Sequence, residues 1–107
     1  FIKTRSESFK ERRDFVVKSL NNIKGLSCLK PSGAFYVFPN CKQLLGKKTK
    51  LKTDKDFVEK LLVEAEVAVV QGSAFGLDGY FRISYATSID NLKKALERIK
   101  SFCESLI

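Results

Sequence analysis

Tyr80-Phe81-Arg82-Ile83-Ser84-Tyr85-Ala86-Thr87-Ser88 reads as a strand that runs straight into a helix cap. Its alternation has period two, so successive side chains fall on opposite faces of a sheet. Phe81, Ile83 and Tyr85 share one face and suit a core. Tyr80, Arg82 and Ser84 share the other, which offers a guanidinium and two hydroxyls with no carboxylate. Arg82 is the only arginine between Arg13 and Arg98. A guanidinium is a planar fork that binds a carboxylate or phosphate through two parallel N–H donors, which a lysine cannot do. The pattern alone leaves two readings: a surface cation paired with a nearby acid, or an anion-binding arginine.

Outward from this strand, helices and strands alternate. Thr4-Arg5-Ser6-Glu7 has capping-box spacing, with Thr4 as N-cap. Phe9, Val16, Leu20 and Ile23 recur at helical spacing, and Gly25 suits the left-handed end of that helix. Leu26 to Lys30 reads as a strand, Pro31-Ser32-Gly33 as a turn, and Ala34 to Phe38 as the return strand. Thr53 or Asp54 caps a second helix with an apolar stripe of Phe57, Val58, Leu61, Leu62 and Ala65. Val67 to Val70 is a continuous apolar run, expected as a strand buried on both sides. Gln71 to Gly76 is a small-residue loop carrying one aromatic, Phe75, with no nucleotide-binding glycine pattern. Ser88 or Thr87 caps a last helix whose stripe is Leu92, Ala95, Leu96, Ile99, Phe102, Cys103 and Leu106. Lys93–Glu97 and Asp90–Lys94 form i,i+4 pairs on its wet side. The expected fold is α/β of the two-layer α+β kind. Its order is α-β-β-α-β-β-α, with about four strands in a small sheet packed by helices.

Composition narrows the chemistry. The 107 residues suffice for one domain with a modest core. No apolar run approaches the roughly 18 residues that cross a membrane. There is no histidine, which removes Ser-His-Asp and Cys-His catalysis and nearly all zinc sites. Cys28, Cys41 and Cys103 lack metal spacing and read as free thiols of a reducing cytoplasm. The net charge of +8 is concentrated in Lys42, Lys47, Lys48, Lys50, Lys52 and Lys55. No aromatics interleave with these lysines, so the run reads as a solvated loop rather than a nucleic-acid platform.

Three stretches in order resemble the class I aminotransferases, the pyridoxal-phosphate enzymes that include aspartate aminotransferase. They are Pro31-Ser32-Gly33-Ala34-Phe35-Tyr36-Val37-Phe38-Pro39, Val67 to Gly76, and Phe81-Arg82-Ile83-Ser84-Tyr85-Ala86. Glu11-Arg12-Arg13-Asp14 is similar as well. The resemblance runs from about Glu7 to Leu106. It departs at Gln71, where the family usually has a proline that would stiffen the strand exit.

The resemblance implies that residues 1–107 are the small C-terminal domain of an enzyme of aspartate type. The absence of methionine and the start at Phe1 fit a piece of a longer chain. In the family the arginine matching Arg82 grips the substrate α-carboxylate. The hairpin glycine and aromatic, Gly33 and Phe35, border the site, although each also reads as plain turn or core. Pyridoxal 5'-phosphate is implied, held by a larger domain outside this chain, so the piece alone is not expected to catalyse. The implied partners are that domain, an amino acid, a 2-oxo acid and a second subunit of a homodimer, with no nucleic acid and no membrane. Two alternatives accompany this reading. One is a free-standing basic module that binds RNA on Tyr36, Tyr80 and Arg82, although the RNP1-type pattern is missing. The other is a lyase or decarboxylase of the same fold.

Overall fold

The computed structural model describes residues 5–29, 36–46, 49–85 and 87–106. Three helices flank a three-stranded sheet. Helix α1 spans Arg5–Asn21, α2 Asp54–Ala65 and α3 Ile89–Ser105. Strands β1 (Tyr36–Val37), β2 (Val70–Gln71) and β3 (Phe81–Ser84) order as β1-β3-β2, with β3 in the centre and antiparallel to both neighbours. Short 3₁₀ turns at Lys42–Leu44 and Gly72–Phe75 complete the order.

The alternation expected around Arg82 is what the sheet uses. Phe81 and Tyr85 are buried at 0% and 3% exposure, and Ile83 is buried with them. The Phe57 ring of α2 lies 5.2 Å from the Phe81 ring and 5.5 Å from the Phe102 ring of α3. This aromatic trio joins α2, β3 and α3 into one core, because three large rings remove more apolar surface from water than any aliphatic group of similar reach. Val16, Leu20 and Ile23 are buried in the same core. Arg12 ties α1 across to the approach of α3: its Nη1 donates to the Thr87 carbonyl oxygen at 2.6 Å, and its guanidinium stacks 4.4 Å from the Phe9 ring.

Two caps match the sequence. Thr53 Oγ1 accepts from the Asp56 N–H at 3.2 Å, while Asp56 Oδ2 accepts from the Thr53 N–H at 3.3 Å, so a capping box opens α2. Ser88 Oγ accepts from the Asn91 N–H at 3.2 Å and opens α3. Thr4, the expected cap of α1, lies outside the described residues.

Several expectations need correction. The described residues hold three strands rather than about four. Leu26 to Lys30 is not a strand where it is described: Ser27 bridges Asn40, and the Asn21 side chain takes both backbone groups of Cys28 at 2.8 Å, standing in for a neighbouring strand. α1 stops at Asn21, and Gly25 (φ +95°) sits in the turn beyond it. Leu62 is 52% exposed, outside the buried stripe of Asp54, Phe57, Val58 and Leu61. One residue past Leu61 rotates the side chain by about 100°, off the core-facing stripe. Val67 is buried, but Ala68 and Val70 are exposed, so the apolar run is not covered on both sides here. Lys93–Glu97 and Asp90–Lys94 do not close to ion-pair distance; Lys55–Glu59, at 3.9 Å, is an i,i+4 pair that does. No helix among the described residues is long and apolar enough to cross a membrane.

Candidate anion-binding site on the open sheet face

The face of the sheet opposite the core carries Tyr36, Val70, Arg82 and Ser84. The register puts Tyr36 opposite Ser84 and Val70 opposite Arg82, and directly paired residues point to the same side. Tyr36 is therefore the diagonal neighbour of Arg82, within reach of a long side chain. Arg82 Cζ lies 4.3 Å from the centre of the Tyr36 ring. A second ring, Phe75, arrives from the 3₁₀ turn after β2 and lies 4.7 Å from the same atom. The guanidinium thus lies within cation–π distance of two aromatic rings, an arrangement favoured by the ring quadrupole.

Arg82 is half-buried. Among the described residues its guanidinium makes no hydrogen bond and meets no carboxylate within ion-pair distance. Five N–H donors on a part-desolvated cation are left for an outside partner. A carboxylate can meet such donors through two parallel bonds in the guanidinium plane. The surface-pair reading of Arg82 would need an acid beside it, and the described residues supply none.

The turn carrying Phe75 is pinned on several sides. Asp54, only 3% exposed at the start of α2, accepts from the Ser73 N–H at 2.6 Å through Oδ2. The Gly72 N–H donates to the Tyr80 carbonyl at 2.7 Å, and the Leu77 N–H to the Gly72 carbonyl at 2.9 Å. A Cβ on Gly72 would collide with the Leu77 and Tyr80 backbone carbonyls, so only glycine allows this closeness. The Phe38 ring meets Phe75 edge-on at 5.9 Å.

Gly33 and Phe35, expected at the site border, lie outside the described residues. Sequence reasoning missed the roles of Phe75 and Asp54. Phe75 was visible as the one aromatic of a small-residue loop, and Asp54 looked like an ordinary first-turn acid. Tyr80 does not stack on Arg82. Its ring takes Lys42 Nζ at 5.2 Å, and its hydroxyl accepts from the Asn40 amide at 3.5 Å.

The thiols are structural. Burial pushes Cys28 up to about 11 and Cys41 and Cys103 up to about 12; the negative charge of Asp54 adds to the effect at Cys41. At neutral pH they are protonated and poor nucleophiles. No group of His, Cys, Asp and Glu among the described residues is arranged to hold a metal. A surface recess of about 600 Å³ between the end of α2 and α3 shares none of the residues around Arg82.

Comparison with known proteins points one way. A family model described as aminotransferase class I and II matches residues 1–99. An aspartate aminotransferase of Rhizobium meliloti (strain 1021) is 57% identical, with 99% of this chain and 27% of that protein covered. A probable aspartate/prephenate aminotransferase of Rickettsia felis is 47% identical over the same share of each. Among solved structures, the aspartate aminotransferase of Rhizobium meliloti superposes with a TM-score of 0.89 at 58% identity, over 94% of this chain and 26% of that one. The alanine aminotransferase of Pyrococcus furiosus does so with a TM-score of 0.82 at 41% identity, over 91% and 24%. This chain spans about a quarter of the length of these relatives.

Proposed function

Because the chain belongs to the aminotransferase class I and II family, we propose that it is the small C-terminal domain of a pyridoxal-phosphate-dependent aminotransferase. In this reading Arg82 grips the substrate α-carboxylate and the domain closes the active site. The observation that carries it is the Arg82 guanidinium: part-buried, beside two aromatic rings, and with no hydrogen bond or ion pair among the described residues. The open sheet face is half a site. Its other half would come from the remainder of a longer chain.

Two parallel hydrogen bonds to the carboxylate would fix the orientation of the Cα–H bond. Holding a reacting group in place is worth several kcal/mol of barrier in favourable cases. The same grip would select amino acids over plain amines, since an amine leaves a desolvated guanidinium unpaired. Closure of the domain would exclude water and strengthen the ion pair.

Pyridoxal phosphate supplies the electron sink of transamination. The described residues do not fit the cofactor's anchor: their lysines are exposed apart from the half-buried Lys60, and none stands in a water-excluded pocket. We assign the cofactor to a large domain outside these residues. The partners in this reading are that domain, an amino acid, a 2-oxo acid and a second subunit of a homodimer in the cytoplasm. Aspartate is the amino donor we favour, following the relative at 57% identity. Several relatives are named aspartate/prephenate aminotransferases, so prephenate belongs beside 2-oxoglutarate among the acceptors to assay. The RNA-binding alternative draws no support from any of these relatives.

The test uses the full-length enzyme. Transfer from aspartate is followed in wild type and in Arg82→Leu, with cofactor absorbance as the check on folding. The expected result is a fall in kcat/KM on the order of 10²-fold or more with absorbance intact. An unchanged rate would remove Arg82 from the substrate. Activity with a different amino acid, still sensitive to Arg82, would keep the mechanism and change the substrate.

A further inference from the structure

We propose that Tyr36 and Phe75 are positioning residues that preset the plane of the Arg82 guanidinium for the incoming carboxylate. The inference rests on the assignment of Arg82 to that carboxylate and adds how the arginine is aimed.

An arginine on an open strand face has four rotatable side-chain bonds, and holding it in one geometry opposes binding through lost entropy. Here two rings from different elements restrict it before any ligand arrives. Tyr36 comes from β1 and sits at 4.3 Å; Phe75 comes from the turn after β2 and sits at 4.7 Å. Neither ring belongs to the core: Tyr36 is 39% exposed and Phe75 is 48% exposed. Apolar area left in water on this scale adds little to folding, so core packing does not account for the two rings. Their shared neighbour is Arg82. Both rings lie against the Arg82 guanidinium, and its N–H donors, which a carboxylate would use, meet no acceptor among the described residues.

The turn under Phe75 is held more firmly than an exposed loop requires. Asp54 takes the Ser73 N–H, Gly72 approaches the Tyr80 carbonyl, and Phe38 buttresses the ring edge-on. The hydrogen bonds fix where Phe75 stands relative to β3, and through it where the guanidinium lies.

The experiment is a double-mutant cycle in the full-length holoenzyme. Phe75→Leu and Tyr36→Leu keep apolar bulk and remove the π-face, each in wild-type and Arg82→Lys backgrounds. Phe75→Tyr and Tyr36→Phe keep the face. The readouts are KM and kcat for the amino acid, and the competitive inhibition constant of succinate, an unreactive dicarboxylate. For each Leu variant, KM and the succinate constant should rise about three- to tenfold, with kcat changed less than about twofold. The face-keeping variants should restore both. In the Arg82→Lys background the Leu variants should add little, because the group they aim is gone.

If Arg82→Lys weakens succinate while both Leu variants bind within about twofold of wild type, the aromatic clamp is wrong and the carboxylate assignment stands. If the Leu variants cost as much in the Arg82→Lys background as in wild type, the rings act on something other than Arg82 and the proposal fails. If Arg82→Lys itself leaves KM and succinate affinity unchanged, the carboxylate assignment underneath fails. Should Phe75→Leu not load cofactor, Tyr36→Leu on its separate strand carries the same test.

Discussion

Asp54 and Ser73 are joined by a 2.6 Å hydrogen bond from a backbone N–H to a carboxylate that is only 3% exposed. This bond ties the first turn of α2 to the turn that carries Phe75, and so couples a helix start to the open sheet face. A carboxylate so placed also gains from the positive end of the helix.

Asp54→Ala should therefore destabilise the protein and loosen the turn at residues 72–76. Removing the acceptor leaves the Ser73 N–H without its partner, a loss of about 1–3 kcal/mol. Asp54→Asn, which keeps an acceptor, should lose less. The check is thermal unfolding together with amide hydrogen exchange across Gly72 to Leu77. Exchange as slow in Asp54→Ala as in wild type would mean that the bond does not hold the turn.

Gly72→Ala should be worse tolerated than its single methyl suggests. The added Cβ meets backbone carbonyls of Leu77 and Tyr80, which cannot swing aside as a side chain could. We expect a cost of about 1–3 kcal/mol and a displaced Phe75, seen as a lower melting temperature and a raised substrate KM. A variant with wild-type melting and kinetics would show that the backbone yields there at no cost.

Phe57→Ala removes the central ring of the Phe57, Phe81 and Phe102 trio. Such a deletion in a core costs about 3–5 kcal/mol. The expected outcome in the full-length enzyme is a large drop in melting temperature or loss of soluble protein, with Phe57→Leu intermediate. Near-wild-type stability of Phe57→Ala would contradict the core described above.

The thiols predict alkaline behaviour. Cys41 and Cys103 rise from an ordinary value of 9.0 to about 12 in the fold, chiefly through burial. Above pH 9 the unfolded chain gives up these protons while the folded one keeps them. Stability from the two groups is therefore complete below pH 9 and declines as pH climbs from 9 towards 12. In Cys103→Ala the fall of melting temperature with pH above 9 should be shallower than in wild type; parallel curves would refute it. At pH 8 a thiol reagent should label native protein far more slowly than urea-unfolded protein. Cys28, pushed up only to about 11, should react first.

Some of this was written locally. The alternation from Phe81 to Tyr85 put three residues in the core and Arg82 on the open face, as read. The stripe Leu92, Leu96, Ile99, Phe102 and Cys103 buried one side of α3, and Thr53 and Ser88 capped as their side chains allow. Other segments carried weaker signals. Leu61 and Leu62 are adjacent leucines, and only the seating of α2 decides which one the core takes. Val67 to Val70 has no period to separate a doubly covered strand from a half-open one. At Cys28 the expected strand partner is replaced by the Asn21 side chain, which no periodicity announces.

The sequence by itself determined the alternation from Phe81 to Tyr85, the caps of α2 and α3, the family and the arginine whose chemistry suits a carboxylate. These follow from periods of 2 and 3.6 residues, from side chains that bond their own nearby backbone, and from motifs in order. Only the tertiary structure decided that Tyr36 and Phe75 lie against Arg82 and that Asp54 holds the turn beneath Phe75. Those relations depend on the antiparallel register of β1, β3 and β2 and on how α2 docks against the turn. Register and docking are set by the closure of a shared core, a sum over contacts distant in the chain that no local stretch contains.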